Sequence, residues 1–222
     1  MSSFAFMKIL ESSPNRYDRG IKILSRGRIK KIYLKIAEMV AGPGKRILDI
    51  GCGTGNVSLA CANQGSIVIG IDSNAEMLEI ARSKAKKAGL EDKVEWLELG
   101  VAEIEGKINE KSQDAVVSCL TFSELTPDEQ TYALSTAYSC LKPGGAIVIA
   151  DEVVPKNAFH RFQHRLVRLP LVLVTYILTQ TTTHPLNSPF LLLQKAGFTN
   201  IETRSLWSES FVIMRAFREI EP

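Results

Sequence analysis

Apolar and polar positions alternate in two rhythms along this chain. Between Arg46 and Asp151, short unbroken apolar runs are separated by stretches in which apolar residues recur every three or four positions. The short runs cover 46–50, 66–71, Val94–Leu99, Asp114–Leu120 and Ala146–Ala150. Such runs predict strands whose two faces are both covered. The intervening stretches predict helices over 56–64, from a Ser73 or Asn74 cap through Ala88, and over Asp128–Leu141. Gly89 and Lys142-Pro143-Gly144-Gly145 provide the stops. Before this region, Ile29, Ile32, Tyr33, Ile36 and Val40 predict a helix over 21–41, ended by Gly42-Pro43-Gly44. After it come a helix over Ser188–Ala196, stopped by Gly197, and strands Ile201–Leu206 and Phe211–Phe217. Only Trp207–Ser210 joins those last strands, which permits antiparallel pairing but no helical crossover. The expected fold is α/β: a doubly wound, Rossmann-like sheet of seven strands, mostly parallel with an antiparallel last strand, in three α/β/α layers.

The 222 residues suit a single domain, 1–222, without repeats or a Pro-rich linker. Its parts are an N-terminal helical cap (1–45), a core (46–154), a helical, apolar insertion (155–189) and a closing helix with two strands (190–222). Cys52, Cys61, Cys119 and Cys140 form no Cys-x-x-Cys pair, which argues against a zinc or redox site. Reduced thiols and the lack of a basic-then-apolar leader predict a cytoplasmic protein. The net charge of +3 conceals two basic stretches, one in 8–46 and one from Lys156 to Arg168. They read as solvated helix faces or as a surface for an anionic partner, and no aromatic-interleaved basic motif predicts nucleic-acid binding. His160 and His164 have the spacing of two metal ligands but no third ligand nearby, so they read as basic-face residues and no metal is expected. The run Leu166–Leu178 is strongly apolar yet too short to span a bilayer. It reads as a core helix, as a cover over an apolar substrate, or, through 155–180, as a contact for a protein partner or a membrane surface, with peripheral membrane attachment in the last case.

The chemistry concentrates where the first strand ends. Asp49 stands next to last in the run Ile47-Leu48-Asp49-Ile50, and glycines follow at Gly51, Gly53 and Gly55. The second strand ends in Asp72. Glycines there let backbone approach a ligand closely, beside a helix N-terminus that favours anions. A dinucleotide fingerprint needs glycine where Asn56 stands, and a P-loop needs Gly-Lys-Ser/Thr, which is missing. The alternating glycines after Asp49 resemble motif I of class I S-adenosyl-L-methionine (SAM)-dependent methyltransferases. Leu141-Lys142-Pro143-Gly144-Gly145 before the fifth strand is similar to a second element of that family, and the adjacent closing strands agree with its reversed seventh strand.

The resemblance implies SAM as cofactor and assigns roles position by position. Gly51, Gly53 and Gly55 border its methionine and ribose portions, and Asp49 helps hold its ammonium group. Asp72 accepts both ribose hydroxyls, and Met77 packs near the adenosine. Cys52, Thr54, Ser73 and Ser118 complete the expected site. The family often shows Gly-Asp-Ala after the third strand, whereas this chain has Gly100-Val101-Ala102-Glu103. Either Val101 backbone and Ala102 frame the adenine, or Glu103 replaces the missing acid. A SAM-binding partner protein without turnover and a nicotinamide-dependent oxidoreductase are the rival functions.

Methyl transfer from a sulfonium is an in-line displacement, so the protein mainly aligns the groups and excludes water. The loop Ser118–Glu124 lacks the Asn/Asp-Pro-Pro-Tyr/Phe sequence of enzymes acting on nucleic acid or protein amides, which argues for a small acceptor. Glu124 reads as a base or a holder of the acceptor, and equally as a helix cap; Tyr17 reads as lid or surface turn, and His184 is a further catalytic candidate. The chain resembles the small-molecule branch that includes ubiquinone/menaquinone methyltransferases. Lys8–Asp18 and the Thr-rich Gln180–Pro185 are also similar to corrinoid-protein-associated methyltransferases, which implies a corrinoid-protein partner.

Overall fold

The computed structural model describes residues 14–179, 183–207 and 209–220. Seven strands form one sheet in the order β3-β2-β1-β4-β5-β7-β6. They are β1 Arg46–Ile50, β2 Ile67–Asp72, β3 Val94–Glu98, β4 Gln113–Cys119, β5 Leu141–Glu152, β6 Thr199–Leu206 and β7 Phe211–Phe217. β7 runs antiparallel to both of its neighbours, and the other pairings are parallel. The chain order reverses between β1 and β4, and a sheet of this kind opens a crevice beyond the strand ends there.

Alternation along β1 explains why unbroken apolar runs form these strands. Ile47 packs with Ile32, Ile36 and Val57 on one face, while Leu48 and Ile50 pack with Leu134 and Ala137 on the other. Both faces are dry, so each large aliphatic side chain stabilises the fold by about 1.5–3 kcal/mol. The covering helices are α1 Pro14–Leu24, α2 Ile29–Val40, α3 Asn56–Ala62, α4 Ala75–Ala88, α5 Pro127–Cys140, α6 Ala158–Thr179 and α7 Pro189–Lys195. Asn74, not Ser73, caps α4, its side chain accepting from the Glu76 and Met77 amides. Thr126 and Glu129 form a reciprocal cap on α5.

Three expectations need correction. The predicted helix over 21–41 is broken: Arg26 and Gly27 both have positive φ, α1 ends before them, and the Ser25 hydroxyl accepts from the Ile29 amide. β5 begins at Leu141, so the Lys142–Gly145 turn runs into the strand, with a register shift opposite Gln113 and Ala115. The insertion helix α6 is not an ordinary core helix, and His164 and Arg168 are not on a solvated basic face. Both are buried, and both meet Glu152 at the end of β5. Within the segments similar to corrinoid-associated enzymes, Lys8–Ser13 and Gln180–Thr182 lie outside the described residues.

Candidate active site

The crevice at the strand reversal contains a cavity of about 440 Å³, within the range of small-molecule sites. Its walls come from the glycine loop after β1, the ends of β2 and β3, and the loop after β4. Tyr17 of α1 also lines it. A recess of about 30 Å³ adjoins it through the shared residues Tyr17, Gly51, Gly53, Cys119 and Leu120, with Asp49 and Tyr33 in its wall.

The three loop glycines serve different ends. A Cβ on Gly51 would lie 2.2 Å from Thr121 Oγ1, and one on Gly55 2.5 Å from the Trp96 ring, so the protein itself fills those spaces. A Cβ on Gly53 would meet nothing within 4 Å, so this glycine lies against open space on the cavity wall. All three have positive φ, which other residues rarely adopt.

Asp72 ties this loop to the second strand. Its Oδ2 accepts from the Gly53 amide at 2.8 Å, and Oδ1 accepts from the Asn74 amide at 2.9 Å. The carboxylate is half-buried on the cavity wall, and a carboxylate can accept from two donors at once, as vicinal hydroxyls would require. Asp49 is buried, and its Oδ2 accepts from the Ser58 hydroxyl at 2.5 Å. Burial pushes its carboxyl up to about 7; the Ser58 hydrogen bonds oppose that rise and the Asp72 charge adds to it. A buried acid of this kind is primed to be ionised by a cationic ligand.

Among the other expected residues, Ser73, Met77, Val101 and Ala102 line the cavity. Cys52 and Thr54 line the recess, whereas Gly55 lines neither space. Ser118 is buried and donates to the Ile50 carbonyl. Glu103 lines the cavity too, but its Oε2 accepts from the Gly100 amide at 2.7 Å and so closes its own turn. Of the catalytic candidates, Tyr17 and Glu124 line the cavity. His184 is exposed and outside its lining, with its amide donating to the Ser123 carbonyl.

Sequence reasoning missed the latch behind the loop. Asp18 of α1 accepts from the Thr54 hydroxyl at 2.6 Å and the Asn56 amide group at 2.9 Å. Lys84 of α4 lies 2.5 Å from Asp18 Oδ2 and donates to the Thr54 carbonyl at 3.0 Å. Burial pushes the Asp18 carboxyl up, but the bonds from Lys84, Thr54 and Asn56 outweigh it and hold the group below its ordinary value. Leu125 and Glu129 were also missed as cavity residues. Their signal was position, since the loop after β4 must end beside the glycine loop.

A methyltransferase domain family matches residues 47–145. The ubiquinone biosynthesis O-methyltransferase of Psychrobacter cryohalolentis is 31% identical over 146 residues, covering 66% of this chain and 55% of that protein. The enzyme of the same name from Salmonella arizonae is 37% identical over 113 residues, 50% of this chain and 45% of that one. The chain thus spans about half the length of these curated relatives. The fold is similar to the crystal structure of a SAM-dependent methyltransferase from Methanosarcina mazei, with a TM-score of 0.65, 22% identity, and 84% and 98% of the two chains covered.

Proposed function

We propose that this chain, which a methyltransferase domain family matches over residues 47–145, transfers the methyl group of SAM to a small, apolar acceptor carrying a hydroxyl group. The observation that carries this reading is the joining of the glycine loop to Asp72 on the wall of the 440 Å³ cavity. When bound, SAM supplies a methyl group already activated on a sulfonium. The residues of this chain then have positioning work to do. Asp72 takes the ribose hydroxyls, while Gly53 leaves room for the ribose and methionine chain. Asp49, beside the recess, takes the ammonium end. Val101 backbone and Ala102 frame the adenine, since Glu103 already serves the Gly100 amide.

The acceptor side is drawn from Tyr17, Leu120, Thr121, Glu124 and Leu125, which line the same cavity. Apolar side chains in this set favour an apolar acceptor, and the O-methyltransferases similar to this chain favour a hydroxyl as the methylated group. A hydroxyl must lose its proton on methylation, and Glu124 is the base we assign. Tyr17 covers the reacting groups and excludes water. We place this activity in the cytoplasm. A corrinoid-protein acceptor is not supported by any cavity residue.

Calorimetry with S-adenosylhomocysteine and with NADH tests the donor. We expect binding of the first alone, weakened about 10- to 100-fold by Asp72→Ala, as for loss of hydrogen bonds to a charged group. Binding of NADH instead would overturn the reading. If wild type binds S-adenosylhomocysteine but methylates no hydroxylated acceptor, the non-catalytic rival gains.

A further inference from the structure

Among its described side chains, helix α6 turns polar ones to the protein and large apolar ones to water. The inward residues His164, Arg168 and Thr175 are buried. Arg168 donates to Glu152 Oε2, and to the Thr183 carbonyl and hydroxyl at 2.5 and 2.6 Å. His164 Nε2 lies 3.3 Å from Glu152 Oε1. Glu152 is fully buried, so this cluster fastens the helix with a defined face inward.

The opposite face carries Phe159, Phe162, Leu166, Leu169, Leu173 and Tyr176, each 51–73% exposed. Steps of three and four residues keep these six on one stripe, about 25 Å long at 1.5 Å per residue. A continuous stripe of this size exceeds the scattered apolar residues that soluble monomers leave exposed. Among the described residues, no helix is long and apolar enough to cross a membrane. The charged residues of α6 itself are of one sign. Arg161 and Arg165 are exposed along one flank, Lys156 is exposed just before the helix, and α6 contains no acidic residue. On the other flank, His160 lies 3.8 Å from Glu209.

We propose that α6 is an interfacial helix that seats the protein on an anionic lipid bilayer. The apolar stripe enters the boundary between headgroups and acyl chains, and Arg161, Arg165 and Lys156 meet the lipid phosphates. Charge complementarity selects this occupant over a second copy of the chain. Two paired α6 helices would bring arginines together with no acid on either helix to offset them. The inference rests on α6 and its charges, and stands apart from the methyl-transfer reading.

The test uses the full chain and sedimentation with phosphatidylcholine vesicles, with or without about a third phosphatidylglycerol. We expect binding to the anionic vesicles, weaker binding to the neutral ones, and release as salt rises. R161E/R165E should lower binding to anionic vesicles at least tenfold. L166E/L169E should abolish it. Both variants should keep the wild-type unfolding transition and S-adenosylhomocysteine affinity, and should L166E/L169E not fold, the arginine variant still decides. No binding to anionic vesicles, or binding indifferent to R161E/R165E, overturns the proposal. So does a dimer in sedimentation velocity that L166E/L169E dissociates while wild type ignores vesicles.

Discussion

Asp49 shows how one residue links the site to pH. Its carboxyl titrates near 7 in the folded protein and near 3.8 in the unfolded chain. The folded state therefore holds the proton more tightly. The stability this gives is fully present below about pH 4 and is lost as pH rises towards 7. Asp49→Asn should flatten that decline, by on the order of 2 kcal/mol in urea unfolding compared at pH 4.5 and 7.5. A residual slope of the same sign should persist, because buried Asp151 is also raised to about 7. An ammonium bound beside Asp49 would favour the ionised form, so S-adenosylhomocysteine binding at pH 7 should release protons in wild type and not in Asp49→Asn. Calorimetry in buffers of different ionisation enthalpy measures this. Asp49 and Asp72 were legible because each is an acid set in or at the end of an apolar run, Asp49 just before the glycines. The division of labour among Gly51, Gly53 and Gly55 was not, because it depends on Thr121 from the loop after β4 and Trp96 from β3.

At the scale of elements, α1 is held onto the glycine loop by Asp18 and Lys84. Asp18→Ala should loosen that closure and weaken S-adenosylhomocysteine binding about 3- to 10-fold, mainly through faster release. Lys84→Met should act in the same direction. Combining the two should cost little more than either alone, because they share one network, and a double-mutant cycle on the dissociation constant checks this. The stability cost should stay near or below 1 kcal/mol, since the pair is partly solvated. The latch was hidden because Asp18, Thr54 and Lys84 are remote in sequence and each is an ordinary surface residue type. The break before α2 did have a local signal in Gly27, outweighed by the apolar period that continues across it. In α6 the apolar stripe was legible but its direction was not. Glu152, on another element, draws the polar side inward and reverses the usual orientation.

For the whole molecule, the sheet was readable because its central strands are buried on both faces, so burial and strand propensity agree. The outer strand β6 is largely exposed, and its first residues were the less legible for it. A cavity framed by the glycine loop, three strand ends and α1 should couple ligand binding to global stability. S-adenosylhomocysteine at a hundred times its dissociation constant should add about 2.7 kcal/mol. For a chain of this size that raises the melting temperature by about 5–10 °C. NADH at equal concentration should leave it unchanged, and scanning calorimetry distinguishes the two.

The Trp96 ring occupies a notch made by two glycines. A Cβ on Gly55 would approach it to 2.5 Å and one on Gly70 to 2.8 Å. The protein contains only two tryptophans, and Trp207, between β6 and β7, is the other. Replacing Trp207 with Phe therefore leaves a single indole wedged against the loop, a natural fluorophore whose emission follows the loop's closure in real time without an added dye.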